Sequence, residues 1–342
     1  MKLLFIKLRH IGDSLLLTPA LLAAREQLNH PEIWVVTRRG SDGILAGCPA
    51  IDRVLTTASA EKKHRSWKSL LQDTRLVKQI RAQQFDFAFE LSESERGRWL
   101  LTLSGAKHQT AHFTSRPLGA FWKRRFSAIQ DFSGYLGHAV TKDFRVVQSA
   151  LPIAPPIPSL CFARDSAEPA PFEAQLKSFV VIHPGTRWQR KRWPAGKWIE
   201  TGRYLLREND QIVISSGKDP EEAALAKAIA EALGPRAINA AGRLNWRQVA
   251  SLLYRARLLV SVDTAITHLA AACQCPSVVI WGPSFEGHWR PWQAPHRLVL
   301  PPGFQEITRT SGDVSEFQKR KAADVEVSNV IGAIDDLLAA RA

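Results

Sequence analysis

The chain has 342 residues, 45% apolar and 23% charged, with a formal net charge of +14 and a pI near 10.0. That length exceeds one ordinary hydrophobic core, so two domains are expected, and the composition is that of a globular protein. No run of about eighteen apolar residues is present to cross a membrane as a helix.

The opening MKLLFIKLRHIGD is broken by Lys7 and Arg9 and offers no small-residue cleavage site, so no secretory leader is expected and the cytoplasm is the default location. Residues 2–8 read as a short apolar strand, followed by a helix over Leu15–Ala24 with hardly a polar face. Further strands are expected at Ile33–Thr37, Arg53–Leu55, Phe85–Leu91 and Gln109–Phe113, with a helix over Trp67–Gln84. Leu151–Pro158 carries four prolines in seven residues, with Pro169 and Pro171 beyond, and marks the boundary between domains 1–165 and 176–342. The pattern then restarts with strands at Phe179–His183, Gln211–Ser215, Ala237–Ala240, Leu258–Val262 and Ser277–Trp281. Helices are expected from Ala195, from Asp219, over Trp246–Ala256 and from Ile266, and Val327–Ala342 closes the chain as a helix that has the option of packing back on the first domain. Strands alternating with helices imply an α/β protein: two Rossmann-like, doubly wound halves, with ligands at the carboxyl ends of the strands and a cleft between the halves as the expected site.

Residues 1–170 hold 24 Lys and Arg against 15 Asp and Glu, including Lys62-Lys63-His64-Arg65 and Lys123-Arg124-Arg125. Such an excess suits a polyanion: nucleic acid, an anionic membrane surface or a phosphorylated substrate. The four cysteines (Cys48, Cys161, Cys273, Cys275) lack zinc-ligand spacing and read as small core hydrophobes.

Each polar cluster of note falls where a strand ends. Arg9-His10-Ile11-Gly12-Asp13 follows the first strand; Gly12 permits a sharp turn, and Asp13 begins a helix, as its cap or as a reactive carboxylate. His183-Pro184-Gly185-Thr186-Arg187 and Arg190-Lys191-Arg192 precede another helix and suit a diphosphate, although neither GxxxxGK[ST] nor GxGxxG is present. Asp263-Thr264-Ala265 opens a second anion-binding helix start, and His268, taken alone, reads as a core histidine.

The elements RxxGDxxxxTPAL, KRWP and DTAxxHLAAA followed by PxVxxWGP resemble glycosyltransferase family 9, the ADP-heptose:lipopolysaccharide heptosyltransferases. Ser216-Gly217, Glu221-Glu222 and Ala241-Gly242-Arg243 extend the match, and His288-Trp289-Arg290-Pro291-Trp292 resembles the heptosyltransferase III branch. The gap from Thr186 to Lys191 is one residue longer than in some relatives, and Ala265 stands where many have glycine. The resemblance implies a GT-B fold and inverting, metal-independent transfer of heptose from ADP-heptose to the lipopolysaccharide inner core. By position, Asp13 matches the catalytic base, and Arg9, His10 and Gly12 would meet the acceptor. The donor side comprises Thr186, Arg187, Lys191, Gly217, Glu221, Asp263, Thr264, Ala265 and His268, with Lys191 at the diphosphate and Glu221 at the adenosine ribose. No metal is expected, since no Asp-x-Asp lies in a site loop, and no other cofactor. The expected partners are the ADP-sugar, a lipid A–core acceptor and the anionic inner face of the inner membrane. Two further readings are a family relative using another sugar or acceptor, such as a protein, and a basic α/β nucleic-acid-binding protein; no nucleic-acid recognition motif supports the latter.

Overall fold

A computed structural model describes residues 1–58, 67–306 and 314–340. The Lys62–Arg65 cluster lies outside them. The chain divides into two compact units, Met1–Cys161 and Phe162–Ala342.

The first unit runs β1 (Lys2–Lys7), α1 (Ile11–Leu15), α2 (Thr18–Gln27), β2 (Glu32–Arg38), α3 (Asp42–Leu45), β3 (Arg53–Thr57) and α4 (Trp67–Arg81). It continues β4 (Phe87–Glu90), α5 (Glu95–Ser104), β5 (His108–Phe113), α6 (Ala120–Lys123), β6 (Ala128–Asp131) and α7 (Ala139–Gln148). The second runs β7 (Phe179–His183), α8 (Ala195–Glu208), β8 (Gln211–Ile214), α9 (Pro220–Leu233), β9 (Ala237–Asn239) and α10 (Trp246–Arg255). It ends β10 (Leu259–Val262), α11 (Ala265–Ala272), β11 (Ser277–Ile280), α12 (Glu286–Trp289), β12 (His296–Val299) and α13 (Val327–Ala339).

Leu3-Leu4-Phe5-Ile6 and Phe179-Val180-Val181-Ile182 are buried throughout, as parallel strands covered on both faces must be. Each unit holds a six-stranded parallel sheet, ordered β3-β2-β1-β4-β5-β6 and β9-β8-β7-β10-β11-β12. In both, the order reverses between the first and fourth strands. At such a switch point, the loops leaving two adjacent strands diverge and open a crevice at their carboxyl ends.

The structure revises the sequence expectations in several places. Leu15–Ala24 is two helices, because Pro19 has no amide to donate inside a helix and is accommodated in the first turn of α2. The edge strands β6 and β12 escaped notice: each has a single sheet neighbour and is only partly buried, so its apolar pattern is thin. The proline-rich segment is tied to the first unit, where Gln27 exchanges side-chain hydrogen bonds of 2.9 and 2.7 Å with the backbone of Ala154. The division therefore falls at Cys161/Phe162. Val327, Val330, Ile334 and Leu337 repeat at helical spacing and bury α13 in the second unit's own core, against β11, β12 and α8. Trp193 fixes the segment before it by donating from Nε1 to the Val325 carbonyl at 2.9 Å. Of the cysteines, Cys48, Cys273 and Cys275 are buried and Cys161 is only partly so; burial pushes the Cys48 thiol up to about 12.

Candidate active site

In the first unit the switch point joins the loop after β1 to the loop after β4. Leu8 N donates to Ser92 Oγ at 2.6 Å and Arg9 Nε to the Ser92 carbonyl at 3.2 Å. His10, with extended backbone, is the N-cap of α1, so Asp13 is the third residue of the helix and not its cap. From there its Oδ2 accepts the His10 amide at 3.1 Å, the reciprocal half of a capping arrangement, and the side chain is buried. One carboxylate oxygen is thus turned back to the backbone while Arg9, His10 and Gly12 surround the same turn. Ser14 Oγ and Thr37 Oγ1, 3.0 Å apart, brace it from below, and Thr37 donates to the Lys7 carbonyl at 3.1 Å.

Beneath this turn the charge is internal and matched. Lys7 and Asp143 form a buried pair at 2.5 Å. The Glu90 carboxylate accepts the amides of Ser92, Glu93 and Ser94 at 3.0, 3.1 and 3.3 Å, and burial raises its affinity for a proton. Glu93 takes a left-handed backbone (φ +55°) and meets Lys142 at 2.9 Å, His112 at 3.1 Å and the Thr114 hydroxyl at 2.7 Å. Burial opposes its charge, but these partners outweigh it and hold the carboxyl well below the usual range. None of Ser92, Glu93, His112 and Lys142 was singled out from sequence. The available signal was the run Leu91-Ser92-Glu93-Ser94-Glu95 between a strand and a helix, where carboxylates serve as local caps or as site residues. A cavity of about 340 Å³ adjoins this loop, lined by Glu93, Arg98, Phe113, Arg116, Pro117 and Trp122 among others.

In the second unit the switch point lies between β7 and β10, and it brings together residues 72 positions apart. Lys191 Nζ reaches Asp263 Oδ2 at 2.5 Å and the Asp263 carbonyl at 3.3 Å. Thr186 is buried and its Oγ1 accepts the Trp188 amide at 3.3 Å; Arg187 and Trp188 are exposed. Thr264 is the N-cap of α11, yet its side chain does not cap the helix; the Thr267 amide donates to the Thr264 carbonyl at 3.1 Å, and the amides of Ala265 and Ile266 have no side-chain cap. His268 is buried on the same helix.

The loops after β7 and β8 close on one carboxylate. Glu222 Oε2 accepts the Gly217 amide at 3.0 Å, and a Cβ at Gly185 or Gly217 would stand 2.7 or 2.8 Å from that oxygen. Only glycine admits so near an approach at both positions. Glu221, by contrast, points outward: it is exposed and pairs with Arg192 at 2.6 Å, whereas Glu222 is buried. The structure therefore places the second of the two glutamates, not the first, beside Gly217. Burial raises the Glu222 pKa despite the Gly217 hydrogen bond. His183, ending β7, meets Ser215 Oγ at 2.9 Å, and burial lowers its pKa to about 4.

Comparison with known proteins gives concordant results. The family model "Glycosyltransferase family 9 (heptosyltransferase)" matches residues 74–311. A lipopolysaccharide heptosyltransferase 3 of Escherichia coli is 24% identical, with 97% of both chains covered. Among solved structures, a glycosyl transferase family 9 protein of Veillonella parvula superposes with a TM-score of 0.80 at 19% identity, covering 99% of this chain and 97% of that one. The E. coli heptosyltransferase WaaC with ADP-2-deoxy-2-fluoro heptose gives 0.77 at 20% identity, covering 98% and 99%. The fold is accordingly GT-B, with two Rossmann-like units.

Proposed function

The chain belongs to glycosyltransferase family 9, and from that premise we propose that it transfers heptose from ADP-heptose to the inner core of lipopolysaccharide, with inversion and without a metal ion. The observation that carries this reading is the meeting of Lys191 with Asp263 at the β7/β10 switch point, beside Thr186 and the start of α11 at Thr264-Ala265, which has no side-chain cap. A cation, a hydroxyl and a helix start are the groups that hold a diphosphate and take up the charge of a departing one.

In this reading Glu222 replaces Glu221 as the acid for the adenosine ribose, since it is the glutamate turned toward Gly185 and Gly217. Arg187, Gly217 and His268 complete the donor side, and Arg9, His10 and Gly12 meet the acceptor. The acceptor hydroxyl attacks the anomeric carbon, the bond to the β-phosphate oxygen breaks, and ADP leaves with that bond's electron pair. Attack from the face opposite the leaving group inverts the anomeric centre. Asp13 receives the hydroxyl proton as the new bond forms. As the donor binds, Lys191 exchanges its Asp263 partner for the diphosphate, and it compensates the charge that develops when the bond to ADP breaks. The basic first unit would carry the enzyme to the anionic inner face of the inner membrane, where a lipid-borne acceptor is met.

Incubation with ADP-heptose and truncated core acceptors, followed by mass spectrometry, should give a product heavier by one heptose. Absence of that gain with any inner-core acceptor would refute the reading. EDTA should leave the rate unchanged; activity abolished by chelation and restored by magnesium or manganese would remove the metal-free step.

A further inference from the structure

On the outward side of the first unit, Trp99, Leu103 and Phe121 are 41%, 38% and 47% exposed. Trp99 and Leu103 are one turn apart on α5 and share a face. The Trp99 ring lies 5.7 Å from Phe121 and 5.2 Å from Trp122, and Phe121 lies 5.0 Å from Trp122. Trp122 in turn stacks at 5.6 Å on Phe126, which is buried in the core, so the cluster is anchored and does not dangle. Monomeric proteins rarely leave so contiguous an aromatic surface in water.

The adjoining segment is basic, and Glu95, one turn before Trp99 on α5, is an exposed carboxylate near it. Residues 107–130 include Lys107, Arg116, Lys123, Arg124 and Arg125 and not one Asp or Glu. Lys123, Arg124 and Arg125 are exposed, and the Arg125 guanidinium sits 4.4 Å over the Phe121 ring. Aromatic side chains ringed by cations suit the headgroup region of an anionic bilayer, the rings at the acyl boundary and the cations at the phosphates. Single-stranded nucleic acid would need open ring faces for its bases. Here Trp122 meets Trp99 and Phe121 edge to face, and Arg125 covers Phe121.

We propose that the Trp99–Leu103–Phe121 surface, with Lys123, Arg124 and Arg125, is where the protein seats on an anionic phospholipid bilayer. The proposal rests on the reading of a lipid-borne acceptor and deepens it. The cavity lined by Arg98, Arg116 and Trp122 opens beside this surface and shares Trp122 with it, so a glycan rising from the bilayer would enter the first unit there.

The test is co-sedimentation of the full chain with phosphatidylcholine vesicles, with and without phosphatidylglycerol. Wild type should bind the anionic vesicles selectively and be released by high salt. Trp99→Ser with Phe121→Ser should weaken binding about tenfold. Lys123→Glu with Arg124→Glu and Arg125→Glu should weaken it on the order of a hundredfold, at roughly fivefold per lost cation. Both variants should keep wild-type transfer to a soluble, delipidated acceptor, a readout that tests the transferase reading separately. If the aromatic variant melts early, Leu103→Glu makes the same test from an exposed position. Wild-type vesicle binding in these variants would overturn the surface assignment, and no binding by wild type would overturn the membrane contact as well. Binding that only the charge variant weakens, matched by equal affinity for a single-stranded oligonucleotide, would mark a general polyanion surface and also overturn the proposal.

Discussion

At the end of β1 the charge is buried and already matched: Lys7 with Asp143, Glu93 with Lys142 and His112, Glu90 with three backbone amides. At the end of β7 it is open and exchangeable: Lys191 on Asp263, Arg192 on the exposed Glu221, two glycines pressed on a glutamate, and a helix start without a side-chain cap. The two sheets have the same strand order, so topology does not make this difference. A group that must take a proton in a fixed direction needs neighbours that cannot move, and a dense internal network supplies them. A site that must admit and release a large anion needs close backbone approach and a cation whose partner can be exchanged. In the proposed reading, one fold would support reaction and binding by different treatments of the same strand ends.

The largest test of that division is Asp13→Asn. Asparagine preserves size and can still accept the His10 amide, so stability should hardly change. Turnover should fall about 10²–10⁴-fold with donor binding intact. Near-wild-type turnover in a folded variant would reduce Asp13 to its helix-start role and erase the distinction. Next, Lys191→Ala should cost on the order of 1.5–3 kcal/mol in donor binding, read by calorimetry with ADP. It also strands Asp263, so adding Asp263→Asn should recover stability without recovering affinity. A double variant that binds ADP normally would show that the pair is structural only.

A third test uses acid. The unfolded chain takes up a proton on His183 below about pH 6.5, whereas the folded protein resists it until about pH 4. Stability from this group is therefore complete near neutrality and falls with pH across that window, by about 1–2 kcal/mol between pH 7 and 5. Urea unfolding of wild type against His183→Gln should show a flatter pH profile in the variant; parallel profiles would clear His183. The smallest effect separates neighbouring glutamates. Glu222→Gln should weaken ADP binding about tenfold, the worth of one charge-assisted hydrogen bond, and Glu221→Gln should leave it unchanged. The reverse outcome would restore the sequence-based assignment of Glu221.

Much of the candidate site is legible where apolar runs end in glycine and charge: Asp13, Thr186, Lys191 and Asp263 are polar groups leaving a buried strand, and the structure places each of them at a strand's carboxyl end. What escaped was orientation. Glu221 and Glu222 are adjacent in sequence but about 100° apart around a helix, and nothing local decides which one turns toward Gly217. The sequence offers Asp13 as the cap of its helix, yet the extended His10 backbone is the N-cap and starts α1 earlier. Lys142 and His112 reach Glu93 from separate elements, a convergence that a single strand-end reading does not contain.

The Lys191–Asp263 pair carries a consequence for the salt response of the donor site. If the diphosphate takes a lysine that already holds an anion, binding is an ion exchange within the protein more than a neutralisation of free charge. Few ions are then taken up or released to the medium at that lysine, and donor affinity should vary only gently with ionic strength. When ADP leaves, the aspartate returns at once as counter-ion, so product is not retained by a bare cation.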